Sequence, residues 1–211
     1  MSDEFTFKLI VVGLVIYATA LHEMAHAFVA TWCGDPTPGR YGRLTFNPIP
    51  HLQPVLTAIV LPLVFFLSGS GLFCLAQTPV DPSRFRHPKR DQALVAFAGP
   101  AANFLFMGLM IGILWIPGVW RDDDVTWNMR VLTEGARWCM ILGVFNLLPI
   151  PPLDGYWIVR GVLPLQLRIQ ADALARSQMS MVLVLFVGSV IMRSLSLPIH
   201  RIFFHLLPLQ F

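Results

Sequence analysis

About 28 consecutive residues, Phe5 to Trp32, carry Lys8 and the pentapeptide His22-Glu23-Met24-Ala25-His26 and are otherwise apolar or small. A helix of that length reaches roughly 42 Å, more than the roughly 30 Å of a bilayer's hydrocarbon core, so the run can cross a membrane with tilt. Ionisable groups inside such a helix are costly and mark a functional site by default. Residues four apart share one helix face, so His22 and His26 can both point at one metal ion. Glu23 stands one residue round, where its carboxylate can reach a water bound to that metal. This is the H-E-x-x-H pattern, two zinc ligands and a general base.

Composition bears the setting out. Of 211 residues, 55% are hydrophobic and 13% charged, against roughly 25% charged in a soluble domain. Mean hydropathy is +0.65, as in a polytopic membrane protein. The net charge of +3 has no solvated basic domain behind it, which excludes nucleic acid as a partner. Loop lysines and arginines facing the cytoplasm account for it. Cys33, Cys74 and Cys139 lie far apart without C-x-x-C spacing, against a disulfide framework or a thiolate zinc site. Asp3 and Glu4 precede Lys8, unlike the basic start of a cleaved signal peptide, so the first run is expected to be retained.

In order, Phe5–Trp32 is the first span, ended by Cys33-Gly34-Asp35-Pro36. Arg40 to Gln53 suits a loop or short strand at the membrane surface. Val55–Gln77 is apolar but interrupted by Pro62 and by Ser68-Gly69-Ser70-Gly71. A basic loop, Asp81–Gln92, leads to a span at Ala93–Pro117, and a polar loop with Asp122, Asp123 and Asp124 to a span at Val131–Leu148. Pro149, Pro151, Pro152 and Leu153-Asp154-Gly155 follow. Tyr156–Gln178, with Arg160, Arg168, Asp172 and Arg176, is expected to include an interfacial helix. Met179–Leu197 is the last span, and Pro198–Phe211 a surface helix or re-entrant piece. Without repeat or linker, residues 1–211 form one domain.

A zinc hydrolase needs three protein ligands and an open position. The candidate acids are Asp35, Asp81, Asp91, Asp122 to Asp124, Glu134, Asp154 and Asp172. Asp154 stands out because it follows a long apolar helix and a proline-broken turn, a setting tolerated in a membrane where backbone is buried or lines a cavity.

The chain resembles the site-2 protease family of intramembrane zinc metalloproteases. His22-Glu23-Met24-Ala25-His26 matches that family's H-E-x-x-H, and Asn146-Leu147-Leu148-Pro149-Ile150-Pro151-Pro152-Leu153-Asp154-Gly155 its N-x-x-P-x-P-x-L-D-G. Gly99-Pro100-Ala101-Ala102-Asn103 matches G-P-x-x-N, and Arg43 to Pro48 with His51 resembles the short prokaryotic members. The likeness covers about residues 10–165 within a catalytic core of about 5–165. After His51 the short members read aspartate-proline-x-glycine, whereas this chain has Gln53-Pro54-Val55-Leu56. The resemblance implies one zinc ion on His22, His26 and Asp154, with Glu23 activating water and Asn146 holding substrate or the developing oxyanion. It also implies cleavage of a single-pass membrane protein in or near its transmembrane segment. Asn103 reads as a packing residue among small neighbours, and His51 as an auxiliary one.

For His22–His26 and Asp154 to share an ion, the ends bearing them must face one side, so Val55–Gln77 is expected to be a re-entrant hairpin. That side then holds Arg40, Arg43, Arg84, Arg86, Lys89, Arg90, Arg160, Arg168 and Arg176, against Lys8, Arg121, Arg130 and Arg201 on the other. The expectation is an all-α polytopic protein of the inner cell membrane. It would have about four full transmembrane helices, a re-entrant hairpin or short strand element, and an active site toward the cytoplasm. An unwound substrate could add as a strand along Arg40–Pro54 or Gln77–Pro82. The competing reading is a non-catalytic membrane metal protein, a zinc transporter or inactive scaffold. Neither needs a base beside the metal, nor does the chain show the several in-membrane acids that transport would want.

Overall fold

The computed structural model describes residues 3–51, 78–116 and 127–177, together with 180, 190, 201 and 203–207. The expected Val55–Gln77 hairpin, the Asp122–Asp124 run and, but for residues 180 and 190, the Met179–Leu197 span lie outside the described residues, as does most of Pro198–Phe211.

The described residues are mostly helical: α1 (Asp3–Trp32), α2 (Thr37–Arg40), α3 (Pro88–Leu114), α4 (Trp127–Asn146), α5 (Asp154–Val159) and α6 (Leu165–Ala175). Two of them, α1 and α3, are long and apolar enough to cross a membrane by length and composition. α4 covers most of the third expected span but carries Arg130, Glu134 and Arg137, the last two paired with each other. α6 falls in the stretch expected to hold an interfacial helix.

Packing is built around α3, which lies against α1, α4 and α5. One apolar core joins Val11, Val15 and Ala18 of α1 to Met110, Ile111 and Leu114 of α3 and to Ala136, Cys139 and Leu142 of α4. These residues come from the N-terminal half of α1 and the C-terminal end of α3, so the two helices run antiparallel. A smaller cluster, Ala30, Cys33, Phe85 and Val95, closes the opposite end. His22 and His26 fall between them.

The ends of α1 and α3 are fixed by polar contacts. Gly34, at φ +113°, takes the left-handed conformation that closes α1, with Asp35 N–H donating to Ala30 O at 3.0 Å. Asp35 is fully buried and accepts from the N–H of Thr37 at 2.9 Å and of Asp81 at 2.7 Å, tying the turn after α1 to the segment before α3. Asp91, also fully buried, accepts from His87 N–H at 2.8 Å. That bond starts α3 at Pro88, five residues ahead of the expected Ala93.

No strand occurs among the described residues, which corrects the expected short strand element where it falls on Arg40–His51. Thr45 Oγ1 accepts from Asn47 N–H and Asn47 Oδ1 from Ile49 N–H, at 3.1 and 3.0 Å, and Pro48 has no N–H to offer a ladder. Side chains that satisfy the local backbone turn the chain instead of extending it. Residues 78–81 carry no regular structure either.

Candidate metal centre

His22 and His26 sit one turn apart on α1, and their Nε2 atoms are 3.0 Å from each other. Oδ2 of Asp154, the first residue of α5, lies 3.0 Å from His22 Nε2 and 3.4 Å from His26 Nε2. Glu23 joins the two histidines in a buried group whose ligand atoms lie within 4.8 Å of one another.

Each imidazole is aimed from behind by α3. His26 Nδ1 is 2.7 Å from the carbonyl oxygen of Val95. A carbonyl only accepts, so Nδ1 carries the ring proton and Nε2 is left with a lone pair. His22 Nδ1 lies 3.0 Å from the amide of Asn103. Asparagine can present either end of its amide, and with the oxygen toward the ring it holds the same tautomer. Partners of this kind orient the histidines of metal sites.

Gly99 lets α3 come close enough. A Cβ there would stand 2.5 Å from Nε2 of both His22 and His26, inside any tolerable contact. Val95, Gly99 and Asn103 are spaced four apart, so one stripe of α3 supplies a carbonyl, a gap and an amide in turn. Gly155 does a similar job beneath Asp154. A Cβ there would stand 2.2 Å from Leu147 O and 2.4 Å from Leu148 O, so glycine allows α5 to fold back on the end of α4.

Glu23 has its own support. Thr78 Oγ1 lies 2.6 Å from Glu23 Oε2 and 3.0 Å from the Glu23 carbonyl oxygen. One hydroxyl proton serves both acceptors, and Oε1 keeps its lone pairs for another donor.

These atoms fit a zinc ion chemically. With both Nδ1 positions protonated, two imidazole lone pairs and a carboxylate oxygen meet with no proton between them, an arrangement that demands a cation. Asp154 Oδ2 is buried and has no hydrogen-bond donor among the described residues. Two nitrogens and one oxygen are a frequent catalytic zinc set. Bonds of about 2.0–2.1 Å in a tetrahedron put ligand atoms about 3.3 Å apart, close to the 3.0, 3.0 and 3.4 Å found here.

Two expected site residues stand apart from the cluster. Asn146, at the end of α4, donates its amide N–H to Leu142 O at 3.1 Å, one turn back in its own helix. His51 is buried but bonded to Thr45 O at 3.0 Å within its own loop. Conversely, Thr78, the Val95 carbonyl and Gly99 were not singled out as site residues. The G-P-x-x-N match pointed at Gly99, whereas Thr78 and Val95 carry no signal in the sequence. Asn103 contacts His22 as well as packing.

Comparison with known proteins agrees with this chemistry. The chain is 33% identical over 183 residues to the protein named "Putative zinc metalloprotease YwhC" of Bacillus subtilis, covering 84% of this chain and 80% of that one. It is 33% identical over 159 residues to "Putative zinc metalloprotease Rip2" of Mycolicibacterium smegmatis, covering 74% of this chain and 58% of the relative. The Rip2 of Mycobacterium tuberculosis is 32% identical over 155 residues, or 71% and 55% of the two chains. The chain thus spans a little over half the length of the Rip2 proteins. No family model matches the sequence. No solved structure matches either.

Proposed function

The chain belongs to the zinc metalloprotease family of YwhC and Rip2, and from that premise we propose that it is an intramembrane endopeptidase of the site-2 protease type. It hydrolyses a peptide bond in or near the transmembrane segment of a single-pass membrane protein. The observation that carries this reading is the meeting of His22 Nε2, His26 Nε2 and Asp154 Oδ2 beside a separately supported Glu23, with the histidines and Glu23 on α1, a helix long and apolar enough to cross a bilayer.

In this reading His22, His26 and Asp154 hold the metal. A zinc ion bound there lowers the pKa of water and polarises the scissile carbonyl. Glu23 takes the water proton on Oε1 while Thr78 occupies Oε2, and it then delivers that proton to the leaving amine nitrogen. Val95 and Asn103 keep the two imidazoles in the tautomer that leaves Nε2 free. Asn146 helps hold the substrate backbone, its amide exchanging the bond to Leu142 O for one to the peptide. A substrate helix hides its peptide groups in its own hydrogen bonds, so it unwinds before cleavage. The irregular segment that follows Thr78, residues 79–81, is the stretch beside the base where the unwound substrate adds.

On this reading it is a multi-pass protein of the inner cell membrane with the site toward the cytoplasm. The surplus of arginine and lysine near the site supports this side. The test is cleavage of a co-expressed single-pass membrane protein by the wild type and by Glu23→Gln. Cleavage by the wild type alone, blocked by a zinc chelator, is the expected result. Equal cleavage by both would remove the base, and a metal-loaded chain that cleaves nothing would return the transporter or scaffold reading.

A further inference from the structure

Where α1 ends and α3 begins, Trp32, Cys33, Arg86, Arg90, Asp91 and Leu94 line an open-sided groove of about 330 Å³. Its two guanidinium groups are not neutralised alike. Arg90 bonds Asp91 Oδ1 through Nε at 3.0 Å and through a terminal nitrogen at 2.9 Å, yet its side chain is still 65% exposed. The other oxygen of Asp91 is taken by the His87 N–H. Arg86 lies across Gly34, with Cγ 3.4 Å from where a Cβ of that glycine would stand, and no carboxylate pairs with it among the described residues. Arg86 and Arg90 face one carboxylate, Asp91, so the groove lining keeps a net charge of one positive.

An apolar strip continues from the cationic rim. Trp32 and Phe28 are 68% and 66% exposed on adjacent turns of α1, and Leu94 and Phe97 are 41% and 50% exposed on adjacent turns of α3. Because the two helices are antiparallel, the steps from Trp32 to Phe28 and from Leu94 to Phe97 lead the same way. Both lead from the arginines toward the middle of the apolar helices. A cationic head with an apolar trail matches an amphiphile with an anionic head.

We infer that this groove binds an anionic phospholipid, its phosphate on Arg86 and Arg90 and one acyl chain along Phe28 and Phe97. Guanidinium groups present paired donors that match phosphate oxygens, and basic pockets between membrane helices on the cytoplasmic side bind such head groups. The exposed indole of Trp32 sits where aromatic side chains anchor at a membrane edge. Zwitterionic lipid would leave the extra positive charge uncompensated. The inference rests on the membrane placement proposed above, not on the metal or the base.

The test is lipid binding to the full chain in detergent, read by native mass spectrometry with phosphatidylglycerol or phosphatidylcholine added. Phosphatidylglycerol should bind more tightly, and Arg86→Gln should weaken it about fivefold, the share of one basic residue at a membrane surface. Arg84→Gln, whose side chain pairs with Asp81 outside the groove, should leave binding unchanged. Phe28→Ala should weaken the long-chain lipid but not water-soluble glycerophosphate. Equal losses in Arg84→Gln and Arg86→Gln would overturn the site in favour of diffuse surface charge. Displacement of the lipid by millimolar inorganic phosphate would make it a free-phosphate site. Binding both lipids alike would overturn the groove alone, and binding neither would overturn the membrane placement with it.

Discussion

Thr78 holds Glu23 at two points, its hydroxyl 2.6 Å from the carboxylate and 3.0 Å from the main-chain carbonyl oxygen of the same residue. The bond spans 55 positions of sequence and fixes the Glu23 carboxylate against a segment outside its own helix. In a buried site such a bond is strong, and losing it leaves an acceptor without a partner.

Thr78→Val keeps the shape and removes the hydroxyl. Turnover should fall about 10- to 100-fold, the usual effect of removing a partner behind a site group, with little change in KM because the hydroxyl is bonded to Glu23 and not to substrate. Thr78→Ser should restore most of the rate. A serine variant as slow as the valine one would show that packing, not the hydroxyl, matters at this position.

Gly99→Ala would put a methyl carbon where the two Nε2 atoms stand. Either the imidazoles turn away or α3 withdraws from α1, and in both cases metal binding suffers. The expected result is zinc affinity at least about tenfold lower, read by competition with a chelator. Unchanged affinity would mean that α3 does not approach the histidines this closely.

Asn103→Ala removes one of the two imidazole supports and Asn103→Asp replaces it with a stronger acceptor. Zinc affinity should drop about 10- to 100-fold in the alanine variant and be kept in the aspartate one. His26 should not respond to either change, since its partner is a backbone carbonyl. Equal losses in both variants would indicate that Asn103 acts only by packing.

His22, Glu23 and His26 were legible in the sequence because helical spacing alone puts them on adjoining faces. Asp154 was legible because prolines and Gly155 frame it. Thr78 and the Val95 carbonyl were not, since a lone threonine and a main-chain oxygen leave no pattern, and their partners lie 55 and 69 residues away. Of the loop or short strand expected over Arg40–Gln53, the described part, Arg40–His51, carries no strand, for a local reason. Thr45, Asn47 and Pro48 favour turns over a ladder, whereas hydropathy and motif likeness said nothing of hydrogen-bond pattern.

Beyond the site, Asp172 joins α6 to α5. Arg160 donates to it at 2.7 Å from two nitrogens, and Tyr156 donates its hydroxyl. The Arg160 hydrogen bonds hold the Asp172 carboxyl down to about 2, and burial, followed by the Asp172 bond, pushes the Tyr156 hydroxyl up to about 12. A carboxyl depressed in the fold stabilises above its unfolded value of about 3.9 and loses that stabilisation as pH falls toward 2. A phenol raised in the fold stabilises below about 10 and loses it as pH rises toward 12. The clasp should therefore act evenly from about pH 4 to 10. Asp172→Asn should cost about 1 kcal/mol at neutral pH, a fall in Tm of roughly 2–4 °C. The gap to wild type should narrow as pH falls below about 4 and close only below about pH 2, and a gap at pH 2 as wide as at pH 7 would contradict this assignment.

On the proposed reading His22, His26 and Asp154 hold one zinc ion while Glu23 stands beside it without binding. Zinc per chain, measured on purified wild type, Asp154→Asn, His26→Ala and Glu23→Gln, tests it most directly. About one zinc is expected in the wild type and in Glu23→Gln, and less than about a tenth of that in the other two. Wild-type zinc content in Asp154→Asn, or its loss in Glu23→Gln, would contradict it.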